Sequence, residues 1–327
     1  MNIGIIGGGV WGSALARLLS NNSVTIFARN KKVVDSINEH RFNPNLKYSI
    51  FNDKVKATDD INELSISDYL FLALPSQSIR EVLKKFKPQN INQEVIIASK
   101  GIEVDSLLLL SQVLDELNIF DKISILSGPC FSDEVSQNLP TAVCFASKNK
   151  NSFEKISKLF VNKNFRLYYS DDIIGCQIGG ALKNIYAIGA GITMGLNLGE
   201  NSRSALITRS FVEIIEFAKT LGGKEKTIFG LSGLGDLILT CNSFKSRNTI
   251  FGKLLTSVNT PDIDDILNSQ QITEGYYTIK AVKKISDIKK INMPILNSIY
   301  NILYNKYSIK DEINNLLERP IKDEFKK

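Results

Sequence analysis

The 327-residue chain contains a single histidine, His40. A Ser-His-Asp triad, a HExxH zinc site or a metal centre with several histidines would have to include this residue or is absent. Cysteine is scarce as well, and none of the four residues Cys130, Cys144, Cys176 and Cys241 belongs to a CxxC pair. This spacing argues against zinc ribbons and thioredoxin chemistry. We therefore expect no metal, and four reduced, mostly buried thiols of a cytoplasmic protein.

Long apolar runs are also missing. A membrane-spanning helix needs about 20 consecutive apolar residues, and the most apolar stretch, 181–199, contains Lys183 and Asn184 and several glycines. The N-terminus leads directly into the strand-like segment 2–6 without a basic leader. We expect a cytoplasmic protein with no membrane span.

Neither sign of charge dominates. The chain has 40 Lys and Arg residues against 34 Asp and Glu, so its net charge is +6, and the cations form no continuous basic segment. This balance suits an anionic small ligand at least as well as nucleic acid, and we expect no nucleic-acid partner. The composition, with 43% hydrophobic and 23% charged residues, is that of an ordinary globular protein long enough for two domains.

Short apolar segments alternate with helical patterns in the first half of the chain, which is typical of a parallel sheet with helices on both faces. Helices are predicted over 13–20 and 78–86. Strands are predicted over residues 2–6, 24–28, 69–74, 94–99, 123–126, 141–146 and 166–169. After Ser170, helical periodicity continues without a convincing strand, as over 207–218, 279–285 and 299–307.

The predicted fold class is therefore α/β. We expect a Rossmann-type doubly wound sheet that binds the nucleotide in residues 1–172, followed by an all-α domain with substrate and catalytic groups in residues 173–327.

A glycine-rich turn lies between the first predicted strand and helix. Its pattern, Gly7-x-Gly9-x-x-Gly12, is generic on its own. Its position between a strand and a helix, however, is the one that a dinucleotide-binding fold needs. Gly7 would allow the tight turn, Gly9 the close approach of a pyrophosphate, and Gly12 the helix–strand contact. The pyrophosphate would bind the free N–H groups at the helix N-terminus. A glycine turn without a ligand is the alternative.

The end of the second predicted strand has three cations, Arg29, Lys31 and Lys32, and no carboxylate. An NAD-specific site usually has an Asp or Glu here for the ribose hydroxyls, whereas cations can pair with a 2′-phosphate. We therefore expect NADPH as the preferred cofactor, or use of both NADPH and NADH. A solvated basic loop is the alternative.

Two turns should face the crevice at the carboxyl ends of the strands. One carries Lys100, directly after a core strand, and the other contains Gly128 and Cys130. For Lys100, an exposed loop position is the alternative.

A lysine stands in a series of small residues on the helix that Asp171 and Asp172 are expected to cap. Gly179, Lys183 and Ala187 are spaced by four residues and share a face. A lysine on such a bare face is partly desolvated, which lowers its pKa and suits it to proton transfer in a domain without histidine. Alternatively, the glycines serve helix packing and the lysine reaches solvent.

A third cluster runs from Gly230 through Asp236 to the triplet Ser246-Arg247-Asn248. Arginine offers a bidentate fork for a phosphate, and serine and asparagine add neutral hydrogen bonds. A purely structural loop is the alternative.

Taken together, these motifs resemble the NAD(P)-dependent sn-glycerol-3-phosphate dehydrogenases of the bacterial biosynthetic type. The resemblance covers residues 2 to about 310 in the family's order. Two of the motifs, Gly179-Gly-Ala-Leu-Lys-Asn184 and the pair formed by Gly233-Leu-Gly-Asp-Leu237 and the Ser-Arg-Asn triplet, are specific to this family. The others are Gly7-Gly-Gly-Val-Trp-Gly12, Ala98-Ser-Lys-Gly101, Ser127-Gly-Pro-Cys-Phe131, Ala205-Leu-Ile-Thr-Arg209 and Thr273-Glu-Gly275.

The resemblance implies reversible reduction of dihydroxyacetone phosphate to sn-glycerol 3-phosphate for phospholipid synthesis. Lys183 would exchange the proton with the substrate. The other implied substrate-binding residues are Lys100, Gly128, Cys130, Asp236, Ser246, Arg247 and Asn248. The implied cofactor-binding residues are Gly7, Gly9, Val10, Trp11, Gly12, Arg29, Lys100, Ser132, Arg247, Ile272 and Glu274.

The chain departs from the family pattern at two of these positions. Many relatives have serine or threonine where Cys130 stands and serine where Val10 stands. The resemblance also suggests a homodimer, which is common among similar enzymes.

Two other functions stay open from the sequence. A related dehydrogenase with a helical second domain could act on a 3-hydroxyacid or a sugar acid. A non-catalytic NADP(H)-binding sensor would bind the cofactor without turnover of any small ketone.

Overall fold

The computed structural model describes residues 1–46, 50–90, 92–257, 263–269, 273–321 and 323–324. In these residues eight strands form one sheet in the order β3-β2-β1-β4-β5-β6-β7-β8. The strands are β1 (Asn2–Ile6), β2 (Ser23–Phe27), β3 (Val55–Thr58), β4 (Tyr69–Leu72), β5 (Glu94–Ile97), β6 (Lys122–Ser127), β7 (Thr141–Ser147) and β8 (Phe165–Ser170).

The sheet has the parallel centre that the sequence predicts. Strands β1 to β6 pair in parallel, whereas β7 runs antiparallel to β6 and parallel to β8. The central strands are covered on both faces, so β4 and β5 consist entirely of buried residues. The strand order reverses between β1 and β4, and such a switch point opens a crevice at the carboxyl ends of the strands.

Three details of the sequence prediction are wrong. Strand β3 is not predicted, because its four residues include the exposed Lys56 and are too few for a recognisable pattern. Strands β4 and β5 end at Leu72 and Ile97, two residues earlier than predicted, because the chain turns there into the crevice. The first helix begins at Val10 rather than at Ser13.

Helices cover both faces of the sheet and build the rest of the chain. They are α1 (Val10–Leu18), α2 (Lys31–His40), α3 (Ile79–Leu83), α4 (Leu110–Leu117), α5 (Ser132–Ser136), α6 (Lys150–Ser157), α7 (Ile173–Gly195), α8 (Gly199–Thr220), α9 (Glu225–Ile228), α10 (Asp236–Cys241), α11 (Arg247–Leu254), α12 (Ile263–Ser269), α13 (Glu274–Lys289), α14 (Pro294–Tyr304) and α15 (Ile309–Leu317). Short 3-10 turns span Ile61–Leu64 and Ser76–Ser78, and a π-helical turn spans Leu231–Gly235.

The change from strands to helices occurs between Ser170 and Ile173. This arrangement confirms the predicted fold class, an α/β sheet followed by a helical region. The division into two domains at residue 172 stays a prediction. No helix within the described ranges is long and apolar enough to cross a membrane.

Helix α7 is the central element of the helical half. All of its residues from Gly175 to Thr193 are buried, and α8, α10, α11 and α13 pack against it. A helix that is apolar on every side requires such complete burial. Asp172 caps its N-terminus as predicted, because its Oδ1 accepts the N–H of Gly175 at 2.8 Å.

Two glycines bring α11 against α7 through their backbones. A Cβ on Gly191 of α7 would collide with Thr249 O, and a Cβ on Gly252 of α11 would collide with Ile188 O. The reciprocal contact therefore requires a residue without a side chain on each helix. It holds the start of α11 beside the part of α7 that carries Lys183. Helix packing, the alternative given for the small residues of α7, is correct for Gly191.

A buried carboxylate joins three helices of this half. Glu213 on α8 accepts the N–H groups of Ile295 (2.7 Å) and Leu296 (3.1 Å) at the start of α14. It also accepts the hydroxyl of Tyr186 on α7 at 2.9 Å. Burial raises the pKa of Glu213 to about 7, although the three hydrogen bonds act in the opposite direction. The helical half thus contains a carboxyl group that titrates near neutrality.

Substituting Glu213 by glutamine is expected to remove a pH dependence of stability. The folded-state pKa of about 7 exceeds the ordinary value of 4.5, so the folded protein binds this proton more tightly. The stability that this group contributes is complete below pH 4.5 and lost as the pH rises to about 7, a loss of roughly 3 kcal/mol. Urea denaturation at several pH values measures this loss. As the pH rises from 4.5 to about 7, the urea concentration at the unfolding midpoint should fall for the wild type relative to Glu213→Gln. A constant difference between the two proteins would contradict the raised pKa.

Candidate functional site

The glycine-rich turn lies at the carboxyl end of β1 and faces the crevice. Gly7 has a φ of +131°, and a Cβ on Gly12 would collide with Gly7 O. Gly9, in contrast, has no atom within 4 Å of the position that a Cβ would take, so a ligand can lie against its backbone. No side chain of the described residues caps the N-terminus of α1. The turn therefore fits a dinucleotide, whose pyrophosphate would accept the N–H groups of this helix N-terminus.

Other predicted cofactor residues lie around the same turn. Trp11 in the first turn of α1 donates its indole N–H to Ala98 O at 3.1 Å, which ties the turn to the residue that follows β5. Val10 begins α1 and is half-buried. Ser132 begins α5, which packs against α1. The structure thus brings Val10, Trp11 and Ser132 to one side of the crevice.

The predicted cationic cluster lies at the surface beside β2. Arg29 follows the strand, Lys31 and Lys32 begin α2, and all three side chains are exposed. Ile272 lies outside the described residues.

On the other side of the crevice, two lysines bind one carboxylate. Lys100, which follows β5, donates to Asp236 Oδ2 at 2.5 Å, and Lys183 Nζ on α7 lies 2.8 Å from Asp236 Oδ1. The side chains of Lys100, Lys183 and Asp236 are 16%, 11% and 1% exposed. The structure therefore brings these three residues together from distant segments. Neither lysine takes the solvent-exposed position that was the alternative.

The shared carboxylate affects the two lysines differently. Burial lowers the pKa of Lys183 below its ordinary value, and the charge of Lys100 adds to this effect while Asp236 opposes it. For Lys100, burial is outweighed by Asp236 and the other surrounding groups, so its pKa is raised. Lys100 is therefore held as an ammonium ion, and Lys183 is the lysine that releases its proton more easily.

Thr240 completes the surroundings of Lys183 and is missed by the sequence analysis. Lys183 donates to Thr240 Oγ1 at 2.8 Å, and the Thr240 hydroxyl donates to Asp236 O at 2.6 Å. An ammonium group has three N–H donors, so Asp236 and Thr240 leave one for a bound molecule. The signal for Thr240 is its position four residues after Asp236, which places both on one face of α10.

The turn after β6 presents a carbonyl and a thiol. Gly128 O accepts a hydrogen bond from Lys100 at 2.9 Å and one from the Cys130 thiol at 3.2 Å. Burial raises the pKa of Cys130, so the thiol stays protonated and acts as a neutral donor. The cluster thus contains two ammonium groups, one carboxylate and one uncharged thiol.

Two side chains of the Ser-Arg-Asn triplet have partners within the protein. Ser246 caps α11, because its Oγ accepts the N–H of Thr249 at 3.2 Å. Asn248 donates to Asn184 Oδ1 at 3.0 Å and accepts the N–H of Gly275 at 3.0 Å. Asn248 therefore connects the starts of α11 and α13 with the residue that follows Lys183. These structural contacts are not apparent from the sequence.

Arg247 and Glu274 lie near each other at the starts of α11 and α13. Arg247 has an exposed surface as a residue, but its guanidinium group is partly desolvated, which lowers its pKa, and the charge of Glu274 opposes this shift. Burial raises the pKa of Glu274, against hydrogen bonds from Ser76 that favour the carboxylate. In the described part of the chain, no group of His, Cys, Asp or Glu is arranged to hold a metal ion.

A buried lysine with a lowered pKa, across the crevice from a dinucleotide-binding turn, suits a proton transfer coupled to a hydride transfer. The class of protein is therefore an NAD(P)-dependent oxidoreductase. Two family models match almost the whole chain: the N-terminus of NAD-dependent glycerol-3-phosphate dehydrogenase over residues 2–153, and the C-terminus of the same enzyme over residues 172–314. The chain belongs to this family.

Individual relatives agree with the family match. The glycerol-3-phosphate dehydrogenase [NAD(P)+] of Zymomonas mobilis is 39% identical over 326 residues, which cover 99% of this chain and 95% of the relative. The enzyme of the same name from Bacillus subtilis is 39% identical and covers 96% of this chain and 93% of its own length. The crystal structure of glycerol-3-phosphate dehydrogenase from Coxiella burnetii superposes with a TM-score of 0.91 at 33% identity, over 97% of this chain and 99% of that one.

Proposed function

We propose that the protein catalyses the reversible reduction of dihydroxyacetone phosphate to sn-glycerol 3-phosphate, with NADPH preferred over NADH. The observation that carries this proposal is the contact of Lys183 and Lys100 with Asp236, three residues of the family's matching motifs. The product would supply glycerophospholipid synthesis. The four cysteines form no disulfide, which suits the reducing cytoplasm as the place of the reaction.

Lys183 is the proposed acid and base of the reaction. A bound reduced nicotinamide supplies a hydride to the carbonyl carbon, and negative charge develops on the ketone oxygen. The third N–H of Lys183 neutralises this charge and transfers its proton in the reduction; the amine accepts the proton in the oxidation. Asp236 and Thr240 orient the ammonium group, and Lys100 provides a second fixed positive charge for the substrate oxygens.

Arg247 is the proposed phosphate-binding side chain. Its partly desolvated guanidinium stands in the first turn of α11, where the helix dipole also favours an anion. The Ser246 hydroxyl and the second amide hydrogen of Asn248 add neutral donors, because their known contacts leave these hydrogens available. Gly128 and Cys130 would contact the carbon chain of the substrate.

The cofactor would lie between the glycine turn and the helical half. Gly7, Gly9 and Gly12 form the open turn for the pyrophosphate, with Val10 and Trp11 in the first helical turn. The remaining proposed contacts come from Arg29, Lys100, Ser132, Arg247, Ile272 and Glu274. We assign the NADPH preference to Arg29, whose exposed cation at the end of β2 can pair with the 2′-phosphate.

The substrate phosphate provides the first test of this function. NADPH oxidation at 340 nm should be rapid with dihydroxyacetone phosphate and slow with unphosphorylated dihydroxyacetone. Arg247→Ala should raise KM for the phosphate ester about tenfold or more, because a charge-assisted bidentate contact is lost. Turnover of neither compound by a protein that still binds NADPH would contradict the proposal and favour a 3-hydroxyacid or sugar-acid substrate, or a cofactor sensor.

Lys183→Ala should lower kcat for reduction by about 100-fold to 10,000-fold while the Kd for NADPH stays within about twofold. In the wild type, reduction requires the protonated lysine, so kcat/KM should fall at alkaline pH with a midpoint below the ordinary lysine value of 10.5. Lys183→Arg keeps the charge but cannot release a proton, and its residual activity should lack this alkaline limb. Turnover at the wild-type rate in either variant would refute the assignment.

The cofactor preference can be tested by removing one of two exposed cations, Arg29 after β2 or Lys56 on the neighbouring β3. Arg29→Ala should lower kcat/KM for NADPH about tenfold and leave NADH almost unchanged, since only NADPH has the 2′-phosphate. Lys56→Ala on β3 removes the same charge from an exposed position and serves as the control. A wild-type enzyme that strongly prefers NADH would overturn the proposed role of Arg29.

A further inference from the structure

The start of α13 is connected with the loop that follows β5 by two residues, Ser76 and Gln77, which lie between β4 and α3. Ser76 donates its N–H to Glu274 Oε1 at 3.2 Å and its hydroxyl to Oε2 at 2.6 Å. Gln77 donates to Ser76 Oγ at 3.0 Å and to Ile102 O at 2.8 Å. The amide oxygen of Gln77 accepts the N–H of Val104 at 2.9 Å. A continuous chain of hydrogen bonds therefore runs from the helical half to the loop.

The direction of each bond in this chain is determined by its chemistry. A carboxylate only accepts, so the Ser76 hydroxyl must donate to Glu274 and accept from Gln77. Both hydrogens and the oxygen of the Gln77 amide are then engaged. The amide binds the loop backbone at two points, as a neighbouring strand would. It cannot rotate without losing all three hydrogen bonds.

The residue after Lys100 packs directly against these hydrogen-bonded side chains. A Cβ on this residue, Gly101, would collide with Ser76 Oγ and would come within 3.4 Å of Glu274 Oε2. Gly101 has a φ of +153°, a conformation that residues with side chains rarely adopt. The loop thus passes Ser76 and Glu274 at a distance that only glycine permits.

Lys100 has to reach across the crevice, because Asp236 and Lys183 belong to the helical half. Another anchor of the loop is the bidentate pair of Arg80 with Glu103, in which Nε donates to Oε1 at 3.0 Å and Nη2 to Oε2 at 2.7 Å. Arg80 lies on α3 in the sheet half, so this pair fixes the loop to its own half. The Gln77–Ser76–Glu274 chain, in contrast, relates the loop to the half that carries Asp236.

We propose that Gln77 and Ser76 are positioning residues that hold Lys100 where its ammonium group meets Asp236 and the substrate. The inference rests on the substrate role proposed above for Lys100. It adds that the correct position of Lys100 depends on Glu274, one of the proposed cofactor contacts, through Ser76 and Gln77, which are not among the proposed ligand contacts. A displacement of about 1 Å at such a group can lower catalysis about 100-fold.

The experiment compares Gln77, whose side chain binds the loop after β5, with Gln93, which directly precedes β5. Gln77→Met keeps the length of the side chain and removes its hydrogen bonds to the loop. Gln93→Met is the matched control: Gln93 precedes β5 and also donates to two backbone carbonyls, Leu64 O at 3.1 Å and Ser67 O at 3.0 Å. Steady-state kinetics, NADPH binding and thermal unfolding are measured for both. Loss of a structural contact lowers the stability of both variants, whereas displacement of Lys100 changes the kinetics of Gln77→Met alone.

At saturating NADPH, Gln77→Met should lower kcat/KM for dihydroxyacetone phosphate about tenfold or more. Gln93→Met should keep the wild-type kcat/KM. Equal kinetics in the two variants would overturn the proposal. If Gln77→Met does not fold, Gln77→Glu replaces it. This variant keeps the acceptor for Val104 but loses the donors at neutral pH, and its kcat/KM should again be lower than that of Gln93→Met.

Ser76→Ala tests the connection to Glu274 separately. It removes the hydroxyl and leaves the two contacts of Gln77 with the loop, and kcat/KM for the substrate at saturating NADPH should again fall. A wild-type value for Ser76→Ala would overturn the part of the proposal that includes Glu274.

Hydrogen exchange of residues 100–109 gives a readout that does not need the substrate. Exchange in this segment should be faster in Gln77→Met than in the wild type and unchanged in Gln93→Met. Unchanged exchange in Gln77→Met would refute the anchoring itself. Faster exchange together with no turnover of dihydroxyacetone phosphate by the wild type would instead locate the failure in the proposed function.

Discussion

Two ammonium groups can be buried in this crevice because a single carboxylate lies between them. Asp236 uses one oxygen for Lys100 and the other for Lys183. Without it, two like charges would face each other out of water, and breaking a buried pair of this kind typically costs about 3–5 kcal/mol. The lysines differ because burial, with the charge of Lys100 added, lowers the pKa of Lys183, whereas Asp236 and the other groups around Lys100 outweigh burial there and raise its pKa. One lysine then serves as a fixed charge and the other as the group that moves a proton.

The helical half is built to keep this cluster dry and rigid. Helix α7 places Lys183 in its buried middle, and such a helix needs neighbours on every side. The glycine contact with α11 and the amide bridge of Asn248 to Asn184 hold the neighbouring helix starts in place. Glu213 ties α7 and α8 to the first turn of α14 at the cost of a carboxylate whose pKa is raised by burial. The fold and the site therefore depend on the same helix.

Local patterns predict the sheet, the glycine turn and the capping of α7, since each depends on neighbouring residues. The clustering of Lys100, Lys183 and Asp236 was expected from the family resemblance, and their motif spacing alone does not give the distances. Strand β3 is too short to give a pattern. The sequence also does not show contacts between distant segments, such as Thr240 with Lys183 and Gln77 with the Lys100 loop. The structural contacts of Ser246 and Asn248 are hidden for the same reason, because a side chain that suits a phosphate suits a helix N-terminus equally well.

Cys130 shows how the balance of charges restricts what can stand beside Asp236. The family resemblance implies a hydroxyl at this position, and the thiol is likewise a neutral donor, here to Gly128 O. A thiolate would be a second anion next to Lys100 and Lys183, and it would stabilise the protonated form of both lysines. Burial prevents this by raising the pKa of the thiol. The substitution is therefore compatible with proton release by Lys183, because desolvation keeps the Cys130 thiol neutral and adds no second anion to the carboxylate that the two lysines share.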